Sequence, residues 1–229
     1  AVNRDVHIKE KIKIVFVEDY NMTRLQRLIP ACDVNENLGF AEKEPAGTTA
    51  IKAMMNGAVN VTSRTGLGLD LIDHMAKELH DPFDGKTAKE REILSSGKSI
   101  YAFGPSVEQT IEIRNGGKYD ANDLYYKTPA IKKTIDRLLN ASRDYIPYDF
   151  RKLYNLIMRY NDGFFILKDL VDYAAVHDQL YHDYFDEVEW NRKALKNIAH
   201  SGEFSMRHTL KGYALGVWDV ETHEREVGE

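Results

Sequence analysis

The sequence lacks the features of several protein classes. Its 229 residues include a single cysteine, Cys32, which excludes an internal disulfide and a zinc site built from cysteines. No apolar run approaches the roughly 18 residues of a membrane-spanning helix, and no basic-then-apolar signal segment opens the chain. Basic residues are not in excess, since 31 Lys and Arg stand against 36 Asp and Glu. We therefore expect neither nucleic acid nor a membrane as partner, and a cytoplasmic location.

What is present is the composition of a globular protein, with 43% hydrophobic and 29% charged residues. The length suits one large domain, or one domain with a helical appendix. Cys32 stands at the apolar end of a predicted helix, which favours a buried structural thiol over a reactive one. The chain starts with Ala1, which a tag remnant, processing or a fragment would each explain.

The first part of the chain alternates strand and helix patterns. Strands are predicted at residues 12–17, 34–40, 58–61 and 99–103, and helices at 21–31, 48–56 and 67–79. Such alternation is typical of a parallel α/β sheet. The polar residues 81–98 between the last helix and strand predict an exposed insertion. Because two of the four strands lack an obvious crossover partner, we expect sequence upstream of Ala1 to complete the sheet.

Helical periodicity without a strand pattern follows residue 106. The predicted helices occupy residues 107–114, 121–139, 150–158, 166–187, 188–199 and 205–217. The sequence therefore predicts an incomplete α/β half, residues 1–105, followed by a helical portion, residues 106–229.

Residues 44–58, EPAGTTAIKAMMNGA, carry the chemistry that the sequence shows most clearly. A loop of small residues leads into a helix start, where unpaired backbone N–H groups and the helix dipole favour an anion. Lys52 lies four residues after Thr48 on the same helix face, and helical side chains lean towards the N-terminus. This spacing suits a cofactor with a phosphate and an aldehyde. A capped helix with a solvated lysine is the commoner reason for such a pattern.

Several segments resemble, in order and spacing, motifs of the α-glucan (glycogen and starch) phosphorylases. Residues 15–21, VFVEDYN, resemble V-I-F-L-E-N-Y, and residues 28–33, LIPACD, resemble V-I-P-A-x-D. Residues 44–58 resemble E-A-S-G-T-G-N-M-K-F-M-x-N-G-A. Residues 197–205, NIAHSGEFS, follow N-I-A-x-S-G-K-F-S, and residues 207–221 contain counterparts of D-R-T-I-x-x-Y-A and W-x-V-E. The resemblance covers nearly the whole chain.

This resemblance implies the C-terminal half of a glycosyltransferase-B-type enzyme, with two Rossmann-like domains and the active site between them. Residues 1–105 would be a partial Rossmann-like cofactor-binding region, and residues 106–229 would pack on it. Such enzymes cleave α-1,4-glucosidic bonds with inorganic phosphate and yield glucose 1-phosphate, using the phosphate group of pyridoxal phosphate to pass a proton. The implied partners are an α-1,4-glucan, inorganic phosphate, an upstream N-terminal domain and a second copy in a homodimer.

The resemblance also assigns roles by position. Lys52 would be the catalytic lysine that forms the Schiff base with pyridoxal phosphate. Thr48 and Thr49 would offer backbone N–H groups to the cofactor phosphate, and Tyr20 would lie near the cofactor. The residues at the glucosyl and substrate-phosphate site would be Glu44, Ala46 and Gly47.

The chain departs from the family pattern next to Lys52. Thr49 replaces a glycine, Ala46 replaces a serine, and G-T-M-D-G-A-N-V-E has become TSRTGLGLD at residues 62–70. A divergent enzyme therefore stays open beside a catalytically inactive phosphorylase-like domain that serves as a sugar-binding or interaction module. A sugar-nucleotide glycosyltransferase of related architecture is a weaker third reading. Because the family's other phosphate contacts lie upstream, we expect this chain alone to be inactive.

Other candidate sites are weaker. A spacing of five keeps His177 and His182 off a common helix face, so no metal site is expected there. Gly66 and Gly68 lack the third glycine of a dinucleotide loop and predict a turn. The pattern predicts core packing for the aromatic residues Tyr173, Tyr181, Tyr184 and Phe185. It predicts solvated surface positions for the acidic residues Asp178, Asp183, Asp186 and Glu187.

Overall fold

A small parallel sheet lies at the centre of the first half of the chain. The computed structural model describes residues 10–40, 47–76, 99–144 and 150–221, together with positions 3, 6 and 7. Its strands are β1 (Val34–Asn37), β2 (Val59–Ser63) and β3 (Ile100–Phe103). They pair in parallel in the order β1-β2-β3. The predicted α/β class is confirmed, with three strands in the described residues where the sequence predicts four.

Ten α-helices surround this sheet or extend from it within the described ranges. They are α1 (Met22–Leu28), α2 (Thr49–Met55), α3 (Leu67–Ala76), α4 (Val107–Gly116), α5 (Ala121–Lys127), α6 (Pro129–Asp144), α7 (Arg151–Tyr154), α8 (Ile166–Tyr184), α9 (Glu187–His200) and α10 (Met206–Gly216). Short 3-10 turns cover Ile29–Ala31 and Ser201–Phe204, and a π-helical turn covers Asn155–Arg159. The described residues after 106 form helices and turns, as the periodicity predicts.

Side-chain caps fix where several of these helices begin. The side chain of Asn21, at the N-cap of α1, accepts a hydrogen bond of 3.2 Å from the backbone N–H of Arg24. Ser106 and Gln109 form a reciprocal capping box at the start of α4. Each cap satisfies a backbone donor that has no partner inside its own helix, which stabilises a helix by about 1 kcal/mol.

Helices cover the sheet on both faces. On one face Val61 and Phe103 pack with Leu180 of α8 and Trp190 of α9. On the other face α2 and α3 contribute apolar side chains, which pack against Ile100: Ala50, Met54, Leu71 and Met75. The middle strand β2 is buried at all five positions.

The helical portion has an apolar cluster of its own. Ile131 and Ile135 of α6 pack with Ile157 of the π-helical turn and Leu167 of α8. Because α8 also packs on the sheet through Leu180, this one long helix contacts both cores. It joins the two parts of the described chain.

Two predicted elements are wrong. Residues 12–17 form no strand and are exposed, with Phe16 86% accessible to solvent. A strand needs a hydrogen-bonded neighbour, and β1 to β3 account for all the sheet pairing in the described part of the chain. The helix predicted over residues 121–139 is two helices, because Pro129 forces Thr128 into an extended conformation.

The aromatic and acidic residues near the end of α8 also differ from prediction. Tyr173 is half-buried and packs edge-on against Phe103, but Tyr181, Tyr184 and Phe185 are exposed. Asp183 is not a solvated surface residue, since it accepts hydrogen bonds from Tyr101 and Lys193. The predicted insertion at residues 81–98 lies outside the described residues.

Cys32 is half-buried, and its thiol donates a hydrogen bond of 3.0 Å to the carbonyl of Val34. Burial, followed by the charge of Asp33, raises the pKa of the Cys32 thiol, which makes it a poor nucleophile. No helix in the described part of the chain combines the length and the apolarity that crossing a membrane requires.

Gly68, in the first turn of α3, is a position where only hydrogen fits. A Cβ atom there would lie 2.1 Å from the backbone oxygen of Ser63, so Gly68→Ala must push α3 away from β2. We predict a loss of about 2–3 kcal/mol in the free energy of unfolding, measured by urea denaturation. Gly212→Ala is the matched control, because α10 has open space there and alanine favours a helix by up to about 1 kcal/mol. Equal stability of the two variants would contradict this packing.

Candidate functional site

Helix α2 follows the loop that the sequence singles out. It has seven residues and begins after Thr48, whose side chain makes no capping hydrogen bond. The backbone N–H of Lys52 donates to the carbonyl of Thr48 at 3.0 Å, so Lys52 stands one turn into the helix. Gly57, with φ of 83°, ends the helix in a conformation that favours glycine.

Buried amide groups connect α2 to the sheet. Asn60 on β2 has no exposed surface, and its side chain donates a hydrogen bond of 3.1 Å to the carbonyl of Ala50 in α2. Asn35 on β1 donates to the Asn60 side-chain oxygen at 2.8 Å. Asn197 of α9 donates to the carbonyl of Ala58, between α2 and β2, at 2.9 Å. The bond from Asn60 ties α2 to β2, two residues before Lys52 in the same helix.

The amine of Lys52 extends towards the start of α1. Lys52 is half-buried, and its Nζ atom lies 3.8 Å from the sulfur of Met22. This is a contact with a weak, neutral acceptor, and Lys52 forms no ion pair among the described residues. Met22 follows two residues after Tyr20, so the structure brings the segment of Tyr20 and the helix of Lys52 together. Both Tyr20 and Met22 are more than half exposed.

The described residues at the start of α2 are accessible to a ligand. Gly47, Thr48 and Thr49 are exposed, and a Cβ at Gly47 would meet nothing within 4 Å. Thr49 lies within the right-handed helix, so the backbone there does not require the glycine that the family motif has. Glu44 and Ala46, the other predicted site residues, lie outside the described residues.

The altered stretch at residues 62–70 has a structural role that sequence reasoning missed. The backbone N–H of Arg64 donates to the carbonyl of Phe103 at 3.0 Å, and its guanidinium donates to the carbonyl of Gly104 at 2.6 Å. Arg64 thus joins the carboxyl ends of β2 and β3. Asp70, the acid that survives from the family motif, is exposed in the first turn of α3.

The site therefore holds a primary amine beside a thioether, with threonine hydroxyls and an open loop next to it. An amine of this kind can attack a carbonyl group, and hydroxyl and amide donors can bind a phosphate. In the part of the chain that the structure describes, no group of three or more His, Cys, Asp or Glu side chains could hold a metal ion. The arrangement suits a carbonyl compound that also carries an anionic group.

The fold gives the class of the protein, and sequence comparison gives its family. Because its parallel strands alternate with helices that cover both faces of the sheet, the chain is an α/β protein. A sequence profile described as carbohydrate phosphorylase matches residues 1–220. The chain belongs to the carbohydrate phosphorylase family.

Three relatives of this chain are glycogen phosphorylases, and each is much longer than the chain. The glycogen phosphorylase of Bacillus subtilis (strain 168) is 29% identical over 220 residues, which are 96% of this chain and 25% of that protein. The liver form of Homo sapiens is 28% identical over 228 residues, covering 99% and 24%. The brain form of Rattus norvegicus is 26% identical over 230 residues, covering 99% and 25%. The chain spans about a quarter of the length of the curated relatives it matches.

Substitution of Asn60 tests whether its hydrogen bonds stabilise the packing of α2 on the sheet. Asn60→Ala removes its bonds to Ala50 and Asn35 and leaves a void in the core, so we predict a loss of about 2 kcal/mol in the free energy of unfolding. Asn56→Ala is the matched control, because the exposed Asn56 side chain donates only to the carbonyl of Lys52 at the end of the same helix. That change should cost less than about 0.5 kcal/mol. Urea denaturation of both variants gives the comparison, and equal losses would contradict the assigned role of Asn60.

Proposed function

We propose that this chain is the cofactor-bearing part of an α-glucan phosphorylase and that Lys52 carries pyridoxal phosphate. The observation that supports this most is the placement of Lys52. It stands one turn into α2 in a segment that resembles the family motif, and its amine lies by the sulfur of Met22 near Tyr20. An amine that is not engaged in an ion pair is available to attack an aldehyde.

The neighbouring residues would bind the rest of the cofactor and the substrate. Thr48 and Thr49 would offer backbone N–H groups to the cofactor phosphate, and Tyr20 would lie near the cofactor. The residues nearest the glucosyl group and the substrate phosphate would be Glu44, Ala46 and Gly47. The open space around Gly47 is consistent with close approach of a ligand to the loop backbone.

The proposed reaction is phosphorolysis of α-1,4-glucosidic bonds to glucose 1-phosphate in the longer protein. When bound, pyridoxal phosphate supplies a phosphate group that exchanges a proton with inorganic phosphate. Lys52 fixes the position of that group, and α2 holds Lys52 through Asn60. The glucan and the other phosphate contacts would come from a domain upstream of Ala1, so we propose that the chain alone has no turnover.

The exposed apolar residues before α1 support an upstream partner domain. Ile12, Ile14, Val15 and Phe16 are each more than half exposed. Contiguous apolar surface of this kind marks an interface. We propose that the missing part of the protein covers it, next to the Tyr20 and Met22 side of the site.

The sequence also supports one alternative function. The substitutions at Ala46, Thr49 and residues 62–70 fall in motifs next to Lys52, which favours a non-catalytic domain that binds sugar or a partner protein. The two proposals agree on ancestry and differ in turnover, which an assay of glucose 1-phosphate release distinguishes.

Reductive trapping tests the cofactor. After incubation of the chain with pyridoxal phosphate and reduction with borohydride, we predict one pyridoxyl group per chain, on the peptide that contains Lys52. Lys52→Arg should remove it, because a guanidinium does not form an imine. Lys211→Arg, on an exposed part of α10, should leave it unchanged. Peptide mass spectrometry makes the measurement, and labelling spread evenly over surface lysines would refute the assignment.

Turnover is tested in the longer protein. We expect glucose 1-phosphate release from a long glucan and inorganic phosphate, lost to background in Lys52→Arg and retained in Lys211→Arg. Labelling of Lys52 without any release of glucose 1-phosphate would favour the non-catalytic alternative.

A further inference from the structure

A small pocket lies where the end of α8 and the start of α9 meet the residue before β1. It has a volume of about 280 Å³ and is lined by residues of these three segments: Asp33, Tyr184, Phe185, Glu187, Trp190 and Asn191. None of Tyr20, Thr48, Thr49 and Lys52 lines it, so it is separate from the candidate cofactor site. Its volume is close to the lower limit of typical small-molecule sites, which suits a compact ligand or a single chemical group.

Three of the six lining residues are aromatic. The ring centre of Tyr184 lies 5.0 Å from that of Trp190 and 5.9 Å from that of Phe185. The two pairs of ring planes are inclined at 79° and 83°, which is the edge-to-face arrangement that aromatic pairs favour. Because the rings stand at steep angles to one another, they form the sides of a pocket and not one flat platform.

The aromatic residues combine a fixed part with an accessible part. Trp190 is 9% exposed and packs in the core with Phe103 and Leu180. Tyr184 is 43% exposed and Phe185 is 67% exposed. The core therefore holds one ring in place, and the other two rings remain accessible to a ligand from solvent.

The charged side chains that line the pocket are both negative. They are Asp33 and Glu187, and neither forms an ion pair with another residue in the described ranges. The neighbouring Glu189 differs, because Arg192 lies 3.0 Å from its carboxylate. The lining thus has two carboxylates and no lysine, arginine or histidine.

The helix ends beside the pocket do not cancel this negative charge. The pocket includes the last residue of α8, a helix of 19 residues, and the carboxyl end of a helix is its negative end. The amino end of α9 is positive, but Asp186 caps it by accepting a hydrogen bond of 3.1 Å from the backbone N–H of Glu189. A cation in the pocket would therefore lie in a favourable electrostatic potential.

Aromatic rings together with carboxylates are the surroundings that bind organic cations, and quaternary ammonium groups above all. An inorganic cation would meet the carboxylates but gain nothing from the apolar rims of the rings. We propose that this pocket binds a quaternary ammonium group, with its methyl groups against the rings of Tyr184, Phe185 and Trp190 and its charge near Asp33 and Glu187. This proposal does not depend on cofactor binding at Lys52.

A fluorescence titration with choline tests this proposal on the chain as it stands. The chain has two tryptophans, and Trp218→Phe leaves Trp190 as the one reporter, inside the pocket. We expect a saturable change in its fluorescence that weakens as salt rises. The neutral carbon analogue of choline, 3,3-dimethyl-1-butanol, should bind at least about tenfold more weakly. Equal binding of the two compounds, or no saturable change with choline, would overturn the proposal.

Two further ligands identify the source of the bound group. A peptide that contains trimethyllysine carries the same cation as choline on a protein side chain, and the tighter of the two ligands identifies whether the source is a protein or a free ammonium compound. Maltose tests whether the rings serve a sugar instead. Saturable binding of maltose without binding of choline would contradict the assignment to a cation.

Four variants locate the binding. Glu187→Gln removes one charge, and Phe185→Leu removes one ring but keeps an apolar side chain; both positions are exposed, so we expect both variants to fold. Each should weaken choline binding at least about threefold. Asp178→Asn removes a charge from an exposed position of α8 outside the pocket and should leave the affinity unchanged. Lys52→Ala should also leave it unchanged, which separates this pocket from the proposed cofactor site. Equal affinity in Phe185→Leu and in the chain without it would refute the role of the rings.

Discussion

The burial of β2 is the constraint on which the rest of the described structure depends. All five of its residues are inaccessible or nearly so, which requires helices on both faces and a strand on each side. Its polar side chains include Asn60, which is tolerated there because it bonds to Asn35 on β1 and to Ala50 in α2. The strand therefore provides both the core and the reference point for the helix that carries Lys52.

Much of this arrangement could be predicted from local sequence. The N-cap at Asn21, the helix after Thr48 and the strands that become β1, β2 and β3 follow from capping residues and short apolar runs. The family was predictable because several ordered motifs extend over the chain, and a match over residues 1–220 confirms it. The position of Lys52 in its helix also followed from spacing.

The rest depends on contacts between residues distant in sequence. Residues 12–17 have strand composition, but a strand requires a neighbour, and the sequence of the segment cannot provide one. Asp183 belongs by composition to a charged helix end, yet Tyr101 and Lys193 make it part of a partly buried ion pair. The contact between Lys52 and Met22 joins residues 30 positions apart. Thr49 replaces a glycine of the family motif, but its backbone is helical. Threonine therefore fits this position without strain.

The exposed apolar run at residues 12–17 affects the behaviour of the isolated chain in solution. Apolar, β-branched residues without a partner strand are the composition that promotes self-association of chains in solution. The same residues would add to the cohesion of the whole protein once they are covered, at about 25 cal/mol for each Å² of apolar surface removed from water. The same short segment would thus promote aggregation of the isolated chain and strengthen the association of domains in the complete protein.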